Sequence, residues 1–90
     1  MPTTRHRIRS VAELGRIVAS TRIAQGLRAT ELNASHVFVS DLERGKETAQ
    51  IGKVLSVLAD LGIDVVLELP PGVELPENFE QQPPRRRISR

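Results

Sequence analysis

Two histidines, His6 and His36, are the side chains of this sequence best suited to proton transfer near neutral pH or to imidazole ligation of a metal. Neither has a second His three or four positions away to complete a metal pair on one helix face, and no cysteine is available as thiolate, nucleophile or disulfide partner. The carboxylates are scattered over positions that read as solvent-facing. No Gly-rich phosphate loop, Gly-x-Ser-x-Gly elbow or His-Glu-x-x-His pair is present. The residues thus supply no catalytic constellation, no metal site and no cofactor site, and they point away from an enzyme.

What remains is recognition by charge. Residues 1–28 carry Arg5, Arg7, Arg9, Arg16, Arg22 and Arg28 against Glu13 alone, a balance of +5. Residues 29–84 carry Arg44, Lys46 and Lys53 against ten acids (−7), and residues 85–90 carry four Arg (+4). The overall charge of +2 therefore hides two basic ends around an acidic middle. Such ends suit a polyanion partner, or are a solvated N-terminus and tail.

With 90 residues the chain has room for one small domain, since a chain of this size buries only about 60% of its unfolded surface. Its apolar runs fall far short of the ~20 residues that span a bilayer, and no signal-type apolar stretch follows the basic N-terminus. Together with the missing cysteines this leads to the expectation of a cytoplasmic protein without membrane association.

The elements that must position these charges follow from periodicity. Residues 1–9 have no apolar period and read as a basic arm. Ser10-x-x-Glu13 is a capping box, in which the Glu carboxylate reaches back to the cap's own N–H, and Val11, Leu14, Ile17, Val18 and Thr21 follow at helical spacing. Gly26 is placed to end this helix, predicted over 11–25. Residues 28–34 hold one large apolar residue, Leu32, and predict a turn or two of helix at most, with Asn33 suited to end it in a left-handed conformation. Ser35 caps a short helix over 36–44 with Phe38, Val39 and Leu42 inward and Gly45 at its end. Thr48 is read as the cap of a helix over 49–61, whose stripe comprises Ile51, Val54, Leu55, Val57, Leu58 and Leu61, closed by Gly62.

Residues 63–69 then change the period to two. Ile63, Val65, Leu67 and Leu69 share one face and Asp64 and Glu68 the other, which predicts a half-buried strand. A lone strand leaves its backbone groups unpaired. The expected partner is the same strand of a second copy, forming an antiparallel ribbon in a homodimer; the alternative is a loop that packs its apolar residues on the helices. From Pro70 the composition turns to Pro, Glu, Gln and Arg, as in a disordered tail, whose terminal Arg85, Arg86, Arg87 and Arg90 suit nucleic acid, an acidic protein or water.

Short helices joined by tight turns, basic ends and an implied two-fold axis fit a helix-turn-helix DNA-binding dimer. The run Phe38-Val39-Ser40-Asp41-Leu42-Glu43-Arg44-Gly45-Lys46, preceded by Arg22-Ile23-Ala24-Gln25-Gly26-Leu27 and followed by residues 51–62, resembles the phage-repressor-like (Cro/C1, XRE) helix-turn-helix family. A strand directly after the last helix resembles the HipB-type antitoxins within it. The resemblance covers about residues 8–69 and is most specific in the Ser-Asp-Leu-Glu-Arg-Gly-Lys run. It implies a mainly α fold: a four-to-five-helix, lambda-repressor-like domain over 10–69 with one C-terminal β-strand pairing across a homodimer, flanked by the arm 1–9 and the tail 70–90.

The resemblance also implies roles. Arg22 and Glu43 match a buried ion pair that pins the recognition helix to the first helix. Contacts with double-stranded operator DNA map to Ser35, His36 and Val37, to Arg28, Ala29 and Thr30, and to Lys46 on a phosphate. Ser35 as a mere N-cap, and His36 and Arg28 as solvated side chains, are the alternatives. The dimer strand is Ile63, Val65, Leu67 and Leu69. By resemblance the protein is a repressor acting as antitoxin, autoregulating its operon and neutralising a HipA-like kinase toxin. The alternatives are a dimeric toxin-binding module without specific DNA binding, and a stand-alone phage-type repressor.

One departure bears on this choice. Relatives have about four more residues between the Glu-Leu of the second helix and the Ser that opens the third, one turn and about 6 Å of rise. Here Glu31-Leu32 passes through Asn33-Ala34 straight to Ser35. Either the second helix is a stub and the third keeps its docking, or the two segments rearrange.

Overall fold

The computed structural model describes residues 3–82 and contains three α-helices and two 3-10 turns; the terminal arginines from Arg85 onward lie outside the described residues. Helix α1 spans Val11–Ala24, with Ser10 Oγ accepting the Glu13 N–H at 3.1 Å. The Glu13 carboxylate reaches back one residue further than expected, accepting from the Arg9 N–H at 2.9 Å, so the capping box also fixes the end of the arm. Helix α2 spans His36–Glu43 under a Ser35 cap (Phe38 N–H to Ser35 Oγ, 3.1 Å), and α3 spans Ile51–Asp60. Thr48 is not the cap of α3. The chain turns through residues 46–49, closed by Ala49 N–H to Lys46 O, and Gln50 takes the cap position before Ile51 without a side-chain cap bond.

All three helices stop by one device. The N–H two residues past the C-cap returns to a carbonyl five residues earlier: Leu27 to Arg22 (3.0 Å), Lys46 to Asp41 (3.0 Å) and Ile63 to Leu58 (2.9 Å). The intervening Gly26, Gly45 and Gly62 take positive φ, which side chains disfavour.

Val18, Val39, Leu42 and Val57 are fully buried, and Leu32, Val54, Leu58 and Leu61 complete the core. Each buried aliphatic of this size contributes roughly 1.5–3 kcal/mol relative to exposure. The stripe predicted for α3 is narrower than its sequence pattern, because Ile51 and Leu55 lie on the side of α3 away from the core and are 70% and 46% exposed. α1 and α2 are in direct contact, and at Gly15 the two backbones approach so closely that a Cβ there would stand 2.3 Å from the Leu42 carbonyl oxygen.

The second helix is indeed a stub. It is the single 3-10 turn η1, Ala29–Glu31, where Glu31 accepts the Arg28 N–H at 3.0 Å and Leu32 drops into the core. Asn33 does not end it with positive φ; among the described residues only glycines have that geometry, and the Asn33 N–H instead donates to Asp60 on α3 at 2.7 Å. With this single turn as the connection, α2 packs directly on α1.

Residues 63–69 form no strand in the single chain. Among the described residues no second extended segment offers a ladder, and a strand without a ladder has nothing to hold it. Nor does the segment fold back onto the helices: Ile63 packs at the edge of the core, while Val65, Val66, Leu67 and Leu69 stay 44–81% exposed. It is touched by the arm through Arg7, whose Nη2 is 3.4 Å from Glu68 Oε1. Beyond it the exposed residues 70–82 hold a turn at Pro70–Val73 and the 3-10 turn η2, Phe79–Gln81. No helix of the described residues is long and apolar enough to cross a membrane.

Candidate nucleic-acid interface

Recognition by a helix requires that one face be held rigidly and the other left free. The held face of α2 carries Val39 and Leu42, both inaccessible to solvent, and Glu43, which receives two hydrogen bonds from Arg22: Nε to Oε2 at 2.7 Å and Nη2 to Oε1 at 3.0 Å. The third edge of the guanidinium is used as well, with Nη1 donating to the Leu27 carbonyl at 2.9 Å. Such a fork-to-fork pair is stronger and more directional than a point contact. Both side chains are largely shielded, 18% and 15% exposed. The hydrogen bond from Arg22 to Glu43 raises the pKa of Arg22 further above its ordinary value against the opposing effect of burial.

The free face starts at the N-terminus of α2. The cap Ser35 and the first helical residues His36 and Val37 are exposed, as are Arg28, just before η1, and Thr30 within η1, which packs against α2. Ala29 is half-buried against the core, which leaves it the least available of the six. The Ser35 hydroxyl oxygen already accepts from Phe38, but its own proton is free to donate. Lys46 lies past the other end of α2, with its ammonium 3.4 Å from Asp41, an exposed contact that a phosphate would readily replace.

The pattern in the sequence did not reveal Lys53. From the first turn of α3 its Nζ stands 5.8 Å from the centre of the Phe38 ring, which brings a further cation to the neighbourhood of the first turn of α2. Lys53 belongs to the polar side of a helix with a strong apolar stripe, and nothing local distinguishes it from a solvated lysine. Gly15 was also silent as a docking residue, although a glycine inside a good helical pattern is a recognised mark of close backbone approach. The tie from Gln25 Nε2 to the last-turn carbonyl of Leu61 (2.8 Å), which joins α1 to α3, has no counterpart in local pattern either. Among the described residues no group of His, Asp and Glu is assembled that would hold a metal.

Three short helices around one core, with a clamped middle helix offering its first turn to solvent, make up the body of a helix-turn-helix regulator. The chain belongs to the helix-turn-helix transcriptional regulators: over 68 residues it is 46% identical to an uncharacterized HTH-type transcriptional regulator, y4mF, of Sinorhizobium fredii, a stretch that covers 71% of this chain and 90% of that protein. No family model matches the chain, and no solved structure matches it.

Proposed function

We propose that the chain is a sequence-specific DNA-binding repressor that acts as a homodimer, with the first turn of α2 in the major groove of its operator. The observation that carries this reading is the division of α2 into a locked face (Val39, Leu42, Glu43) and an exposed first turn (Ser35, His36, Val37). Ser35 and His36 then address base edges or phosphates, Val37 a thymine methyl, and Arg28 and Thr30 a guanine edge or the backbone, while Ala29 offers only its methyl. Lys46 and Lys53 pair with phosphates. Support for the homodimer comes from the apolar segment 65–69, exposed in the single chain and covered when a second copy pairs with it through Ile63, Val65, Leu67 and Leu69.

The antitoxin role, with autoregulation of the operon and neutralisation of a HipA-like kinase toxin, is supported by sequence resemblance. A kinase-like reading frame beside the gene is its expected companion; a gene without one fits a stand-alone repressor. Polarization titration of the full chain against duplex DNA from upstream of its own gene tests the main reading. Tight, sequence-dependent binding that weakens steeply with salt is expected. Equal affinity for a scrambled duplex would instead favour a protein-interaction module, the alternative that the single-turn helix Ala29–Glu31 speaks for.

A further inference from the structure

We propose that Arg7 of the N-terminal arm bridges two carboxylates across the homodimer ribbon, Glu68 of its own chain and Asp64 of the second copy. The inference rests on the homodimer reading above and deepens it by fixing the register of the ribbon and naming a residue outside the strand that completes it.

The register follows from the pattern of residues 63–69. A two-fold antiparallel pairing that uses the whole run is centred on Val66. It sets Ile63 opposite Leu69 and Val65 opposite Leu67 on one face, with Val66 opposite itself on the other. A pairing slipped by one residue places Asp64 opposite Leu67 and mixes the faces. Centring on Val65 or Leu67 keeps the faces but strands one end of the run without a partner. The Val66 register has one unfavourable consequence: it sets Asp64 opposite Glu68 of the second copy, twice by symmetry. Opposed side chains in such a ladder have Cβ atoms about 4.5–5.5 Å apart, and like charges there are destabilising.

Arg7 meets this need. Its Nη2 already stands 3.4 Å from Glu68 Oε1, with both side chains more than three-quarters exposed. In the single chain so exposed a contact contributes little to stability and holds little in place. The guanidinium has five N–H donors, of which this contact uses one. The remaining donors are not engaged by Glu68, and in the Val66 register Asp64 of the second copy stands beside Glu68, so that each like-charged pair would acquire one cation. The alternation of the arm, with Arg5 and Arg9 flanking Arg7 at intervals of two, leaves two further arginines per chain unengaged by Glu68.

The experiment combines sedimentation equilibrium with cross-linking of the full chain. Because the protein lacks cysteine, Val66→Cys introduces a unique thiol, and mild oxidation should convert it to a covalent dimer, while Val65→Cys and Leu67→Cys, each facing a different residue, should cross-link poorly. Arg7→Gln should weaken the dimer about threefold to tenfold in Kd at low salt, with the difference fading near 1 M salt. Glu68→Lys, which turns both like-charged pairs into opposite ones, should restore the dimer in the Arg7→Gln background. All these side chains are exposed, and unchanged thermal melts at fixed dimer occupancy check that the variants fold. A wild-type chain that sediments as a monomer overturns the homodimer reading and the inference with it. A wild-type dimer whose Kd is insensitive to Arg7→Gln overturns the bridge alone, and failure of Glu68→Lys to rescue overturns the opposition of Asp64 and Glu68 on which both bridge and register stand. Preferential cross-linking at position 65 or 67 overturns the register.

Discussion

Arg22 and Glu43, 21 residues apart in sequence, meet through two parallel hydrogen bonds of 2.7 and 3.0 Å that tie the end of α1 to the end of α2. The pair does more than join charges. It anchors α2 at its C-terminal end, opposite the turn that carries Ser35, His36 and Val37, so the orientation of the exposed turn depends on it.

Removing one partner should therefore cost more than a surface salt bridge is worth. Glu43→Gln leaves the Arg22 guanidinium shielded without its counter-charge, and a loss of about 1–3 kcal/mol is expected, below the figure for a fully buried pair because both side chains retain some exposure. Urea unfolding measures it, and a loss under about 0.5 kcal/mol would mark the pair as an ordinary surface contact. The pH dependence has a definite sign. The Arg22 pKa is raised in the folded state, so its contribution is present in full below the ordinary arginine value and is lost only as pH rises through the still higher folded value. Titration from about pH 7 to 10 should leave the wild-type minus Glu43→Gln difference in stability unchanged.

Two glycines on helices should respond to alanine with opposite signs. Gly15→Ala gains helix propensity but drives a Cβ to 2.3 Å from the Leu42 carbonyl and 2.8 Å from that of Glu43, backbone atoms that move only if α1 and α2 separate. A net loss of about 2 kcal/mol or more is expected. Gly52→Ala, in the first turn of α3 with nothing within 4 Å, should gain up to about 1 kcal/mol. Parallel urea titrations decide it. Equal effects would mean that the helix–helix contact at Gly15 is looser than its geometry.

The residues that make the helices were legible in the sequence because their signals are local. Ser10 and Ser35 as caps, the glycines at 26, 45 and 62, and the inward set Val18, Val39, Leu42, Val54, Val57 and Leu58 all lie within a turn or two of the elements they define. What could not be read is decided by the third dimension. Thr48 loses the cap of α3 to a turn closed by Lys46, Ile51 and Leu55 are turned from the core by the way α3 docks, and Asn33 is held by Asp60 from 27 residues away. Residues 63–69 carry a strand pattern that one chain cannot satisfy, because a ladder needs a second strand. Of the expected contact residues, the exposure of Ser35, His36 and Val37 follows from the phase of α2, whereas Lys53 reaches the same neighbourhood only through the packing of α3 on Phe38.

Ser35 can be separated into its two roles by choice of substituent. Ser35→Ala removes the cap and should cost about 1 kcal/mol of stability, with DNA affinity falling in its wake. Ser35→Asp keeps an acceptor for the Phe38 N–H and adds negative charge where the helix dipole welcomes it, so stability should stay within about 0.5 kcal/mol of wild type. The same carboxylate would face the DNA backbone and base acceptors, and a loss of tenfold or more in operator affinity is expected, about 1.4 kcal/mol. Undiminished binding by the aspartate variant would reduce Ser35 to a helix cap.

Lys53 gives the sharpest test of where the DNA backbone runs, since no pattern in the sequence singled it out. Its ammonium near Phe38 contributes little to folding, about 0.5–1 kcal/mol for an exposed cation over an aromatic face, so Lys53→Gln should melt close to wild type. If a phosphate lies there, the variant loses one counterion-releasing contact, and the slope of log affinity against log salt should become shallower by about 0.9. Because a phosphate contact reads no bases, operator and scrambled duplexes should weaken by the same factor. Arg28→Gln supplies the contrast: a guanine contact would weaken the operator more than the scrambled duplex. A Lys53→Gln variant with an unchanged salt slope would move the phosphate path away from α3 and leave Lys46 alone to mark it.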